Sequence, residues 1–451
     1  MKKYSILVML CMLLLVSACG KSSDSESTAA SSTTPGAGAG QQQTTLKVYT
    51  NAKGNPDEQI IKIIDAFNKQ STNIKVEHVG LVQNNDTREM LQKLDVLSAS
   101  GEQVDVVLLN NEGFVQERAG NGMLYPLDEF YKARNINPKE EYFRNPMYNG
   151  QYYGAMTDAG FWFVALNENH LKAAGLPVPG FDWTWDDFRT YAKKLKDSGG
   201  KDRFGAYFHT FGEYANIIAY TDFQNPQLKE DGKLQFDHPS FEYWFNMRRA
   251  MEKEDKSVKP HADVLAAKQN WPTDFMKGTT SMMPIATYAL DEAFTNKNTY
   301  PRDFKITFAP LPRSSKDTAP GLTNIGGSFL TIAKNSKHKE AAFEFIHFAT
   351  MKGAEFGGRI PGWKKADGKT ILTKFLGDKT DLIDINALSA VLFDSRVRTP
   401  EPSVVSVPYQ QQLKKVAEAG INKFLLDNVP FEEAKKYMMT EGQKIIDNNK
   451  K

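Results

Sequence analysis

Three apolar runs separated by two amphipathic stretches lie between Leu46 and Leu109, and this alternation constrains the chain more than any other feature. Leu46-Lys47-Val48-Tyr49-Thr50 reads as a strand, and Ile60, Ile63, Ile64 and Phe67 then recur at helical spacing over Gln59 to Lys69. Ile74-Lys75-Val76 alternates as a second strand, and Met90, Leu94 and Leu97 form one stripe over Thr87 to Ala99. Val104 to Leu109 is a nearly continuous apolar run, as expected for a strand buried on both faces of a parallel sheet. The order β-α-β-α-β with right-handed crossovers predicts an open doubly wound sheet that binds ligands beyond the carboxyl ends of its strands. Asn51 and Lys53 follow the first strand, and Asn110, Asn111 and Glu112 follow the third. Such residues form turns, but here they also bring amides, an amine and a carboxylate to one edge.

The N-terminus carries a different signal. Lys2-Lys3 precedes an apolar run from Ile6 to Val16, too short to span a bilayer but the length of a secretory h-region. It ends in Val16-Ser17-Ala18-Cys19, which resembles the lipobox of bacterial lipoproteins; an ordinary signal peptide with an incidental cysteine is the other reading. The resemblance implies cleavage of residues 1–18, lipid (palmitate included) on Cys19, and a protein anchored to the outer face of the cell membrane, in a Gram-positive arrangement. Gly20 to Gln43 contains no Val, Ile, Leu, Met, Phe, Tyr or Trp. It cannot join a core, so 19–44 is expected to be a tether, reaching about 25–30 Å as a flexible coil.

Composition closes several functional classes. The two cysteines are Cys11, in the h-region, and Cys19, which leaves the remainder without a thiol for disulfides, cysteine–zinc sites or thiol nucleophiles. The seven histidines include no His-x-x-x-His pair, and no metal or cofactor is expected. Lys plus Arg number 56 against 54 Asp plus Glu, and loss of Lys2 and Lys3 with the leader makes these counts equal. No net charge then attracts a polyanion, so no nucleic-acid partner is expected. Gly-x-Ser-x-Gly, His-Glu-x-x-His and EF-hand loops are missing from the sequence, and Gly368-Lys369-Thr370 has Trp363 where a P-loop needs its first glycine.

Farther along, Trp183-Thr184-Trp185-Asp186-Asp187-Phe188 reads as a helix start, with Thr184 as N-cap, Asp187 three residues on and Trp183 packing on Phe188. Helical spacing of Ala342, Phe345, Ile346 and Ala349, and an amphipathic segment from Glu432 onward, indicate packing elements. With Val104-Asp105-Val106-Val107, Asn149-Gly150, Tyr153-Gly154, Leu166-Asn167, Gly175-Leu176-Pro177, Phe275-Met276-Lys277-Gly278, Met282-Met283, Gly326-Gly327 and Ile332-Ala333-Lys334-Asn335, the order of motifs resembles the extracellular solute-binding proteins of ABC importers. Specifically, it is similar to the carbohydrate-binding cluster that includes maltose-binding protein.

That resemblance implies an α/β, periplasmic-binding-protein-like fold of two lobes, each a doubly wound sheet flanked by helices, with a multi-strand hinge. The first lobe would hold 45–155 and 310–375, the second 156–309 and 376–451. It further implies a monomeric receptor that makes and breaks no bond, a carbohydrate ligand, and an ABC permease as partner. The family's acidic sugar contact falls on Glu112, its polar loop on Asn51 and Lys53, and its aromatic contact near Tyr288, where many relatives have tryptophan. Tyr409 is the nearest match to an aromatic at the start of a late helix.

A pyranose needs fixed polar groups at its rim and an apolar plate against its face. On that ground the further candidates are Asp158, Trp162, Tyr214, Ser328, Arg359 and Trp363. Trp162 reads equally as a hinge core residue. Arg359, Lys364 and Lys365 would suit an acidic sugar if all faced the cleft, and otherwise form a solvated charge run. The competing expectation is a secreted glycoside hydrolase, which needs two carboxylates about 5–10 Å apart across a glycosidic bond.

Overall fold

Apolar periodicity becomes secondary structure in the first section almost residue for residue. The computed structural model describes residues 43–450 apart from 57, 84, 85, 224, 358, 378, 401, 402 and 404, so the expected leader, Cys19 and most of the tether lie outside the described residues. Strand β1 (Thr44–Thr50) is followed by α1 (Gln59–Gln70), which buries Ile60, Ile63, Ile64 and Phe67. Strand β2 (Ile74–Gly80) leads to α2 (Thr87–Ala99), capped by Asp86 accepting from the Glu89 amide, and then to β3 (Val106–Leu109). The third strand begins two residues later than expected. Asp105 instead accepts hydrogen bonds from Ser336 Oγ at 2.6 Å and from the Lys47 amide at 3.2 Å.

Strands β2, β1 and β3 run parallel, with Thr44 opposite Ile74 and Val48 opposite Val106. Beyond β3 the sheet is mixed. The return strand Ile325–Ala333 pairs antiparallel with β3, Phe329 facing Leu109 and Ile332 facing Val106. A sequence run buried on both faces has the same apolar content whichever way its neighbour points, so direction was not encoded in the periodicity.

The long strand Ala155–Asn167 joins the two halves of the sheet. Its first part pairs with the return strand, Phe161 to Ile325; its later part pairs with Thr280–Ala286, Leu166 to Met282, and with Ile306–Pro310. Side chains alternate across a strand, and the alternation assigns them to two apolar cores. Phe163 and Ala165 join the core that contains Val48, Val106 and Phe329. Trp162, Val164 and Leu166 join the other, around Trp185, Trp244 and Phe424.

The second core rests on the expected helix start. Helix Trp185–Asp197 begins with a complete capping box, in which the Thr184 amide donates to Asp187 Oδ2 at 2.8 Å and the Asp187 amide donates to Thr184 Oγ1 at 3.3 Å. Trp183 packs on Phe188 with ring centroids 5.9 Å apart and donates its indole N–H to the Pro310 carbonyl. Two helices, Gln410–Leu426 and Phe431–Asn449, close this core.

Candidate functional site

The loops after β1 and β3 are held open by their own hydrogen bonds. Amides of Lys53, Gly54 and Asn55 donate to the Glu58 carboxylate at 3.0, 2.7 and 2.9 Å, so the first loop wraps one side chain and leaves Asn51 and Lys53 at its mouth. Asn51 Nδ2 donates to Thr87 Oγ1 at 3.1 Å, and Asn110 Nδ2 lies 3.4 Å from Asn51 Oδ1. The amides after the first and third strands therefore meet at one edge, as the β-α-β order requires.

That edge borders a cleft of about 1550 Å³. Asn51, Lys53, Asn110, Asn111, Asp158, Trp162, Tyr288, Ser328 and Arg359 all line it, nine of the sequence candidates brought together. The long strand and the return strand supply the floor: Asp158 faces Ser328 in register, and the pairing shifts just after Ser328. Thr157 Oγ1, 3.0 Å from Asp158 Oδ2 and 3.1 Å from the Ser328 carbonyl, ties the two strands at that irregularity.

Arg359 is the electrostatic centre of the floor. Its Nε donates to Asp291 Oδ2 at 3.1 Å, its Nη2 to Glu292 Oε1 at 2.9 Å, and its Nη1 lies 3.6 Å from Asp158 Oδ1. Burial alone would ease a proton off this guanidinium, but the three carboxylates hold it on. Asp291 is raised above the ordinary carboxylate range by burial, against the pull of Arg359. Glu292 is raised for the same reason.

Aromatic surface comes from another part of the chain. Trp271 and Tyr288 meet edge to face with centroids 5.7 Å apart, and both line the cleft, as do Phe211 and Tyr300. Trp162 satisfies both readings of the sequence: it borders the cleft, yet it is only 7% exposed and packs on Tyr214 at 5.7 Å.

Sequence comparison matches residues 52–355 to the family described as bacterial extracellular solute-binding protein. The chain belongs to that family. An arabinooligosaccharide-binding protein of Bacillus subtilis (strain 168) is 25% identical over 215 residues, so this solute-binding protein matches about half the length of that curated relative, 47% of each chain. An ABC substrate-binding protein of Listeria monocytogenes, solved in complex with cycloalternan, superposes with a TM-score of 0.71 at 20% identity, covering 90% of this chain and 99% of its own. UgpB of Mycobacterium tuberculosis, in complex with glycerophosphocholine, gives 0.70 at 18% identity over 92% and 100% of the two chains. These structures establish the two-lobe α/β fold. Among the described residues no helix of this solute-binding protein is long and apolar enough to cross a membrane.

Four candidates lie elsewhere. Glu112 opens instead into a smaller polar chamber of about 120 Å³, which adjoins the cleft through Asn111, Glu213 and Gly326-Gly327. Burial raises its carboxyl, with Arg144 opposing. Arg144 in turn is 4% exposed, and burial lowers it to about 10.

Tyr214 does not reach the cleft. It is 2% exposed, its hydroxyl donates to the Pro284 carbonyl, and its own carbonyl accepts from the Trp244 indole, because the loop after Tyr207-Phe208 folds into the second core. Trp363 does not reach it either. Its indole donates to Glu141, and Tyr142 bridges to it, so the Gly/Pro turn is tied to the 138–142 segment. Tyr409 precedes helix Gln410–Leu426 but packs, half-buried, on the second core; that helix sends Gln410, Gln411 and Lys414 to the chamber. Lys364 and Lys365 turn to the Lys139 carbonyl and to Glu141, which leaves Arg359 alone of the three in the cleft.

Sequence reasoning missed Trp271, Asp291 and Glu292. The signal for the acidic pair was its position three and four residues after Tyr288; Trp271, between Asn270 and Pro272, carried none beyond a turn.

Proposed function

We propose that this protein is the extracytoplasmic receptor of an ABC importer, binding a mono- or oligosaccharide in the cleft and presenting it to a permease without making or breaking a bond. The observation that carries this reading is the composition of the cleft walls. Rim amides of Asn51 and Asn110 suit hydroxyl groups, and the Trp271–Tyr288 pair offers the plate that pyranose C–H faces need. The arabinooligosaccharide-binding relative supports the same ligand class.

In this reading the ligand contacts are Asn51, Lys53, Asn110, Asn111, Asp158, Trp162, Tyr288, Ser328 and Arg359, with Glu112 acting from the adjoining chamber. The first lobe comprises 45–155 and 310–375, and the second 156–309 and 376–451. A saccharide touching both lobes favours the closed state, because only differential contact shifts such an equilibrium. Lipid on Cys19, after removal of 1–18, tethers the monomeric receptor near its permease.

A thermal-shift screen against neutral and uronic mono- and oligosaccharides tests the proposal. A ligand at a hundred times its dissociation constant adds about 2.7 kcal/mol to the folded state. A raised melting temperature with a saccharide supports the reading; a panel without any shift contradicts it.

A further inference from the structure

Solute-binding proteins of this fold hold chemically different cargo, since the structures similar to this chain include one with cycloalternan and one with glycerophosphocholine. The fold therefore does not decide the charge of the solute. The floor of the cleft does.

Arg359 is surrounded rather than available. Two of its nitrogens donate to Asp291 and Glu292, and the third faces Asp158 at 3.6 Å, so three carboxylates share one guanidinium. Asp291 Oδ1 is buried with no hydrogen-bond partner, an acceptor awaiting a donor. A buried acceptor left unpaired is destabilising, so a donor brought by a ligand is favoured there. The surplus at the floor is thus negative charge and acceptor capacity, since three carboxylates surround the one guanidinium and an acid group brought to it would stand beside all three.

Four lysines also line the cleft. Lys297 lies 3.8 Å from Asp381, and Lys379 donates to the Phe375 carbonyl. Lys53 is exposed and Lys62 half-buried, so solvent and salt screen their attraction for an anion. Fixed carboxylates at the floor are screened less.

We infer that the cleft floor selects solutes presenting hydroxyl donors and no acid group, so that the ligand is a neutral saccharide rather than a uronate or a phosphodiester. The inference rests on the receptor reading above and specifies the charge of its substrate. Asp291 and Asp158 act as the acceptors for sugar hydroxyls, and Arg359 is a positioning residue that holds both carboxylates in place.

The test is calorimetric titration of the unsubstituted protein with matched pairs of oligosaccharides differing only in oxidation at C6, such as galactose- and galacturonate-based chains or glucose- and glucuronate-based chains. Glycerophosphocholine serves as a third ligand, and the titrations are run near neutral pH and physiological salt. The neutral member of the best pair is expected to bind at least about tenfold more tightly than its uronate, as uncompensated carboxylate charge a few ångströms away implies. Asp291→Asn or, should that variant fail to fold, Glu292→Gln is expected to narrow the gap. A uronate that binds as tightly as its neutral counterpart, or a gap unchanged in the folded variant, overturns the charge selection while leaving a saccharide receptor intact. Binding of glycerophosphocholine alone, or of no saccharide, overturns the receptor reading and the selection together.

Discussion

Replacing Gly327 with alanine tests how tightly the crossing strands fix the cleft floor. A Cβ at this position would sit 2.1 Å from the Asp158 carbonyl oxygen and 2.6 Å from Met156 Cε. Contact between carbon and oxygen needs about an ångström more, and the nearer obstacle is backbone in a paired strand that cannot rotate away. The strands must part where Asp158 approaches Arg359. Overpacking of this kind costs roughly 1–3 kcal/mol, and the backbone obstacle places Gly327→Ala near the upper end, about 2–3 kcal/mol. With about 2.1 cal/mol/K of unfolding entropy per residue over a chain of this size, the melting temperature falls by about 3 °C.

Gly326→Ala is the control. Its Cβ would meet nothing within 4 Å, so its stability should be unchanged or rise by up to about 1 kcal/mol through the loss of unfolded-chain entropy. Denaturant titration of the three proteins, followed by saccharide titration, reads both effects. Gly327→Ala should lose stability and affinity together. Equal stability of the two variants would refute the claim that strand contact at Asp158 sets the floor.

Thr184→Ala removes the hydroxyl arm of the capping box, leaving only the residue-184 amide's bond to Asp187, and should cost about 1 kcal/mol in denaturant titration, whereas Thr184→Ser should retain most of it. Glu112→Ala should weaken saccharide affinity, as read by calorimetry, without lowering the melting temperature; unchanged affinity removes the chamber from the binding site. Burial lowers His209 from 6.5 to about 4, so between those values the unfolded chain takes a proton that the folded chain refuses. Stability should therefore fall on acidification through that window, His209 contributing on the order of 2 kcal/mol, and His209→Gln should remove that part of the slope in denaturant titrations from pH 7 to 4.5, leaving the part due to His170, which burial lowers likewise.

Elements whose own residues encode their period were legible in the sequence. Helix α1 shows the expected stripe, and Thr184 with Asp187 forms the expected box, because both depend on neighbours three or four residues away. The edge formed by Asn51 and Asn110 followed from strand order alone. Contacts set by distant pairings were not legible. Tyr214 and Trp363 are aromatic residues in loops, and only tertiary structure decides that one enters the core and the other is claimed by Glu141. Arg359 meets Asp291 and Asp158 across separations of 68 and about 200 residues in sequence, and no local pattern announces such a cluster.

A receptor of this kind must hold a saccharide intact in the cleft. Calorimetric titration with the best saccharide from the thermal screen, repeated with Tyr288→Ala and followed by mass analysis of the recovered ligand, measures this directly. One ligand per chain, heat largely lost in the variant and an unaltered ligand mass are the predicted results. Shortened products, or binding indifferent to Tyr288, would contradict it.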